Sequence, residues 1–205
     1  MKTNFNQAKD FVSRKRKDGR ESLSGPGSHT VNTLESVDFI NNTIRNYEIK
    51  SILDLGCGDW NWFKNINLCS SLYLGWDACD IMINKNTELY GCSSVKFDVK
   101  DIVTEVYPKV DLIICRDVLF HMTSDLSIKI LNKIEKSCKY FITTNFNESK
   151  VNRPHRKGWG YYDININIDP FFFGKYLLDE TEEKKISKIL SRKRFINLYS
   201  FNDNT

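Results

Sequence analysis

The sequence has no apolar run approaching the ~20 residues that a bilayer span needs. Its first residues, Met1-Lys2-Thr3-Asn4-Phe5-Asn6, carry no secretory hydrophobic core. A membrane-spanning or exported protein is therefore not expected. Cys-x-x-Cys pairs are missing as well: the six cysteines, at 57, 69, 79, 92, 115 and 138, are scattered, several of them inside apolar runs. That pattern reads as free thiols in a reducing, cytoplasmic compartment and gives no zinc-ligand spacing, so no metal site is expected. No Gly-Lys-Ser/Thr follows the one glycine-rich turn, which excludes a P-loop. Neither an internal repeat nor a domain linker is visible, and 205 residues fit one domain. The expected division is a basic arm and a Ser/Gly/Pro loop over 1–32, followed by a single globular domain over 33–205. A net charge of +4 permits an anionic partner without requiring one. The run Arg14-Lys15-Arg16-Lys17-Asp18-Gly19-Arg20 is interrupted and lacks interleaved aromatics, a poor nucleic-acid signature.

What is present centres on Ser51-Ile52-Leu53-Asp54-Leu55-Gly56-Cys57-Gly58-Asp59-Trp60. An apolar run bounded by glycines reads as a buried strand ending in a tight turn. Gly56 and Gly58 remove side chains where the backbone bends and a ligand approaches. The stretch Asn61 to Asn65 is helix-compatible, completing a strand, glycine turn and helix. Upstream, Glu21 to Thr30 is a loop containing Ser24, Gly25 and Gly27. It either links two helices or closes over a bound ligand. Residues 33–47 carry Leu34, Val37, Ile40 and Ile44 at helical spacing.

Ser71 to Asp77 reads as a second strand ending in an acid. An acid ~20 residues beyond a glycine turn is placed to accept hydrogen bonds from ribose hydroxyls, and a carboxylate can accept from both. Residues 81–90 read as a helix stopped by Gly91. Val95 to Ile102 reads as a third strand, with Asp101 just past the strand end, placed to meet an adenine amino group, and Asp98 its rival. Val110 to Cys115 is a central strand, and Tyr140 to Thr144 a fifth. Ile164, Ile166 and Ile168 alternate with Asn165 and Asn167, which predicts another strand. Glu180 to Leu190 is a polar helix candidate, and Phe195 to Phe201 a last strand. Strands alternating with helices, then two closing strands, imply an α/β fold: a parallel sheet with helices on both faces and an antiparallel addition. Gly56, Gly58, Asp77, Asp101 and the Arg116–His121 segment all fall at carboxyl ends of strands, where such sheets bind ligands.

If Arg116 to His121 opens a helix, Asp117 and His121 share a face. His121 can then take a proton from an attacking hydroxyl while Asp117 orients its ring. Metal-assisted deprotonation through Asp117 and Asn145 is a variant with too few oxygen ligands. The loop bearing Trp159, Tyr161 and Tyr162, with Asn165 beyond it, offers aromatic faces and an amide to a polar acceptor such as a saccharide.

Leu53-Asp54-Leu55-Gly56-Cys57-Gly58 resembles the first motif of class I S-adenosylmethionine-dependent methyltransferases, with Asp77 matching their ribose-binding acid and Asp101-Ile102 the pair that meets adenine. Ser24-Gly25-Pro26-Gly27-Ser28, Cys115 to His121 and Asn165 to Phe171 are similar to a subgroup of that superfamily. The resemblance implies a Rossmann-like seven-stranded, mostly parallel sheet with one antiparallel strand. It implies S-adenosyl-L-methionine as cofactor, held by Asp54, Gly56, Cys57, Gly58, Asp77, Asp101, Ile102, Arg116, Ser24, Gly25 and Gly27. Trp60 stands where many members carry a third glycine. The charge sign agrees: Asp54 opposes a pyrophosphate and suits an ammonium. The expected activity is O-methylation of a hydroxyl on a small polar acceptor. An RNA or protein methyltransferase and a non-catalytic cofactor-binding module are the alternatives.

Overall fold

The computed structural model describes residues 21–152 and 162–201. The basic run 14–20, Trp159 and Tyr161 lie outside the described residues. Two compact units divide at Glu105/Val106. The fold class is α/β, a seven-stranded, mostly parallel sheet with one reversed strand.

In the first unit, helix α1 (Leu34–Asn46) precedes strand β1 (Ser51–Leu55). Its buried face is Ser36, Phe39, Ile40, Thr43 and Ile44. Leu34, expected on that face, is exposed. Thr43 occupies an apolar stripe because its hydroxyl donates to Phe39 O at 2.9 Å, which satisfies it internally. Strand β2 (Leu72–Asp77) pairs parallel with β1, and β3 (Val95–Val99) pairs parallel with β2. The third strand therefore stops before Asp101. Helix α2 (Asp80–Tyr90) joins β2 to β3 and ends before Gly91, as predicted.

Between β1 and β2 the expected helix is replaced by a loop with one 3₁₀ turn, Phe63–Asn65. The reason is visible at Trp60, which takes the left-handed conformation at φ 55°. Its ring is buried against Tyr90 (4.8 Å between centroids), Phe97 (5.3 Å), Tyr73 (5.5 Å) and Phe63 (5.9 Å). A left-handed non-glycine residue costs ~1–2 kcal/mol, whereas each aromatic pair contributes ~0.5–1.5 kcal/mol beyond its burial. Packing outweighs strain, and this segment follows its aromatic contacts instead of a helical stripe.

In the second unit, β4 (Val110–Cys115) leads through a 3₁₀ turn, Leu119–His121, to helix α3 (Ser124–Glu135) and then β5 (Cys138–Asn145), parallel to β4. Strand β6 (Leu177–Glu182), helix α4 (Lys184–Leu190) and β7 (Phe195–Ser200) follow, with β7 antiparallel to both β5 and β6. The core is Leu112, Ile113, Ile114, Phe141, Ile142, Leu198 and Tyr199. Two expectations fail. Glu180 to Glu182 is strand, not helix, because an edge strand with an open face needs no apolar alternation. Ile164 to Ile168 is not a strand. Side-chain amides take over its backbone groups: Asn152 Oδ1 accepts from Asn165 N–H (2.7 Å) and Asn145 Oδ1 from Ile166 N–H (2.8 Å).

Candidate cofactor site

The glycine turn is fixed first by β2. Gly56 and Cys57 both donate their N–H groups to Trp76 O, at 2.7 and 3.0 Å. Gly56 (φ 81°) and Gly58 (φ 60°) occupy the left-handed region, where a side chain is strained. Asp77, the last residue of β2, then reaches across: Oδ2 accepts the Gly58 N–H at 3.0 Å and Oδ1 the Cys79 N–H at 2.8 Å. Asn86 on α2 donates to Gly58 O at 2.8 Å. Burial raises the Asp77 pKa above the usual carboxylate value, with the Cys79 and Gly58 N–H groups opposing that rise. A carboxylate has about four acceptor positions, so the Gly58 and Cys79 N–H groups, with the Ala78 N–H also acting on it, leave capacity for a ligand hydroxyl.

The Ser/Gly/Pro loop lies directly on this turn. Asp59 is its anchor: Leu23 N–H donates to Oδ2 at 2.6 Å, Ser22 Oγ lies 2.9 and 3.1 Å from the two oxygens, and Ser24 Oγ donates to Oδ1 at 3.1 Å. Asp59 N–H returns a bond to Ser24 Oγ at 3.1 Å. A Cβ on Gly58 would stand 2.3 Å from Ser24 Oγ. Gly58 is therefore required by the contact as well as by its φ. Leu23 packs on Cys79 and Met82. Glu21 Oε1 accepts from Thr30 N–H and Thr30 Oγ1, both at 2.7 Å, and from Asn61 Nδ2 at 2.9 Å. These bonds, the Thr30 N–H foremost, hold the Glu21 carboxyl down to about 2. Asn61 also donates to Ser28 O at 3.1 Å. The loop thus lies on the glycine turn, held there by Asp59 and Asn61.

Asp54 is 3% exposed and accepts from Tyr73 Oη at 2.7 Å. Burial pushes the Cys57 thiol up, and the charges of Asp77, Asp54 and Asp59 push it further. Three carboxylates thus act on one turn. The turn is followed by no α-helix before β2, so it lacks the helix N-terminus that cradles phosphates in dinucleotide sites. This surrounding suits a cationic or neutral ligand. Asp101 begins a turn in which its Oδ1 accepts from Val103 N–H at 2.9 Å, and Ile102 is buried. Asp98 lies exposed on β3.

In the second unit the Asp117–His121 pairing does not form on a helix. Asp117 sits at φ 61°, His121 ends a 3₁₀ turn, and α3 starts only after Thr123. The Asp117 carboxylate is directed to arginines: Oδ2 accepts from Arg116 Nη1 at 3.1 Å, and Oδ1 pairs with Arg194 Nη1 at 3.2 Å. Arg116, expected at the cofactor, is 5% exposed and grips Glu183 through Nη2 (2.7 Å) and Nε (3.2 Å). Arg194 Nε binds the other Glu183 oxygen at 2.5 Å. Paired with two cations, Asp117 is also no free metal ligand. Asn145 binds Asn165 and Ile166, so the metal-assisted variant has no support.

His121 is exposed, with its ring 4.6 Å from that of Phe120. Tyr162 N–H donates to Phe120 O at 3.4 Å, which brings Tyr162, the first described residue of the expected acceptor segment, beside the His121 turn. Burial raises the Tyr162 phenol pKa. Asn165 is 2% exposed, and its amide is used by Asn145, Asn167, Asn147 and Ser149. It holds the loop instead of meeting an acceptor.

Asp59, Asn86, Glu183 and Arg194 were not among the sequence candidates. Asp59 alone had a local signal, an acid directly after the glycine turn.

The fold is similar to that of solved S-adenosylmethionine-dependent methyltransferases. The magnesium protoporphyrin IX methyltransferase of Synechocystis PCC 6803 with bound SAM superposes with a TM-score of 0.68 at 15% identity, covering 98% of each chain. The N-methyltransferase NodS of Bradyrhizobium japonicum WM9, in complex with S-adenosyl-L-homocysteine, gives 0.67 at 9% identity over 96% of this chain and 97% of its own. An S-adenosylmethionine-dependent methyltransferase from Clostridium acetobutylicum ATCC 824 gives 0.60 at 17% identity over 84% and 92%. No protein-family model and no curated protein matches the chain. Among the described residues no helix is long and apolar enough to cross a membrane.

Proposed function

We propose that the protein is an S-adenosylmethionine-dependent methyltransferase acting on a hydroxyl of a small polar acceptor such as a sugar. The observation that carries the cofactor reading is the Asp77–Gly58 bond within an acidic turn that has no helix dipole behind it. Asp77 receives a ribose hydroxyl on its remaining acceptor capacity. Asp54 supplies a negative field for the ammonium of the methionine end. Asp101 and Ile102 lie toward the adenine. Solved proteins of the same architecture contain SAM or its demethylated product, which supports this assignment.

Bound there, the cofactor would supply an electrophilic methyl group to an acceptor oxygen, with the thioether S-adenosyl-L-homocysteine as leaving group. His121 takes the proton that the acceptor hydroxyl loses, since a neutral imidazole offers a nitrogen lone pair to it. Tyr162, tethered beside the His121 turn, is the described aromatic that fits the acceptor's face. Asp117 serves by holding Arg116 and Arg194, not by orienting His121.

The test is a panel of sugars, other polyols, amines and RNA incubated with methyl-labelled cofactor and read by mass spectrometry. Label on the oxygen of a small polyol is expected. Label only on nitrogen or RNA would overturn the acceptor half, and cofactor binding without any transfer would leave a binding module.

A further inference from the structure

Resting on the cofactor reading above, we infer that Asp59 is a positioning residue for the cofactor: it clasps the strap Ser22-Leu23-Ser24 onto the glycine turn and so sets the turn's grip and the rate of cofactor escape. Three donor groups of the strap, Ser22 Oγ, Leu23 N–H and Ser24 Oγ, converge on one carboxylate, and Asp59 N–H bonds back to Ser24 Oγ. Ser22, fully buried, also accepts from Ser24 N–H at 3.1 Å, which shapes the strap around the acid. The strap presses on Gly58, the residue whose N–H lies on Asp77 and whose carbonyl lies on Asn86. The chain of contact runs from strap to turn to ribose acid. Asp59 thus acts through Gly58 and needs no contact with the ligand itself. The strap's far end is held by Glu21, Thr30 and the Asn61 side chain, and Asn61 N–H reaches Asp59 Oδ1 only at 3.4 Å. Losing Asp59 therefore frees the clasp while leaving the Glu21 bonds of the loop's base in place.

The experiment uses the full chain with Asp59→Asn, Ser22→Ala and Asp77→Ala. It reads amide hydrogen exchange over residues 21–30 without ligand, S-adenosylmethionine affinity and dissociation rate, and the melting temperature. Asp59→Asn keeps the shape but replaces one acceptor oxygen with a donor. It is expected to raise exchange at Leu23 and Ser24 and to speed cofactor dissociation about tenfold or more, a change of about 1.4 kcal/mol at 25 °C. Ser22→Ala, which leaves the turn's own residues untouched, should act in the same direction. Asp77→Ala should lose affinity while Leu23 and Ser24 stay protected. Raised exchange with unchanged dissociation would overturn the inference, as would unchanged exchange. If the wild type binds no S-adenosylmethionine while the strap remains protected, the cofactor reading itself has failed. A lower melting temperature with unchanged dissociation would mark Asp59 as structural only and would also overturn the inference.

Discussion

Asp77 Oδ2 accepts the Gly58 N–H at 3.0 Å, so the end of β2 and the turn after β1 form one hydrogen-bonded unit. On the proposed cofactor reading, substituting Asp77 acts on both the turn and the ligand. Asp77→Asn should weaken S-adenosylmethionine binding by at least tenfold, since hydrogen bonds to charged groups contribute ~1.5–3 kcal/mol. The pH dependence has a defined sign. Burial raises the Asp77 pKa, so the folded state binds its proton more readily than the unfolded chain. The stabilisation from that proton is present at low pH and lost as pH rises through the folded pKa. Cofactor binding needs the ionised form and runs the other way. Affinity should fall on acidification at a pH above the usual carboxylate value, and calorimetry across pH should find that slope absent in Asp77→Asn.

Glu183 is fully buried and bridges Arg116 and Arg194. Removing one partner of a buried ionic cluster strands the others, at a cost of ~3–5 kcal/mol. Glu183→Ala should therefore lower unfolding stability severely. Glu183→Gln, which keeps acceptor and shape, should lower it less. Denaturant unfolding of the two variants checks the order.

His121 and Asp117 should separate cleanly. His121→Ala is expected to lower turnover by ~10²-fold or more, in the range for general base catalysis, with cofactor affinity unchanged. Asp117→Asn should cost stability while leaving the acid limb of the pH–rate profile in place. A lost limb in Asp117→Asn would show that Asp117 acts on the imidazole after all.

Trp60→Gly relieves ~1–2 kcal/mol of left-handed strain but removes a buried ring worth ~3–5 kcal/mol. Net destabilisation of roughly 1–4 kcal/mol is expected from those two ranges, measured by chemical denaturation.

Much of this was legible in the chain. Leu53 to Gly58, Asp77 and Val110 to Cys115 announce strands because their burial is local and continuous. What escaped depends on distant partners. Arg116 and Glu183 meet across 67 positions, and no pattern around either residue signals the bond. Ile164 to Ile168 alternates like a strand, yet Asn145 and Asn152 outcompete a ladder for its backbone. The acidic Glu180 to Glu182 reads as the start of the following helix because an edge strand need not bury either face. At the candidate site, the acid at Asp77 followed from spacing, and the loop's closure over a ligand was one of two open readings. Its anchor at Asp59 required seeing Ser22 and Ser24 brought to it across more than thirty residues.

The most direct measurement is calorimetric titration of the full chain with S-adenosylmethionine, alongside NAD and ATP as anionic controls. Saturable binding of S-adenosylmethionine, lost in Asp77→Ala and absent for both controls, is the expected result. No binding of S-adenosylmethionine, or binding that Asp77→Ala leaves intact, would contradict a methyl-donor site at the Gly56–Asp59 turn.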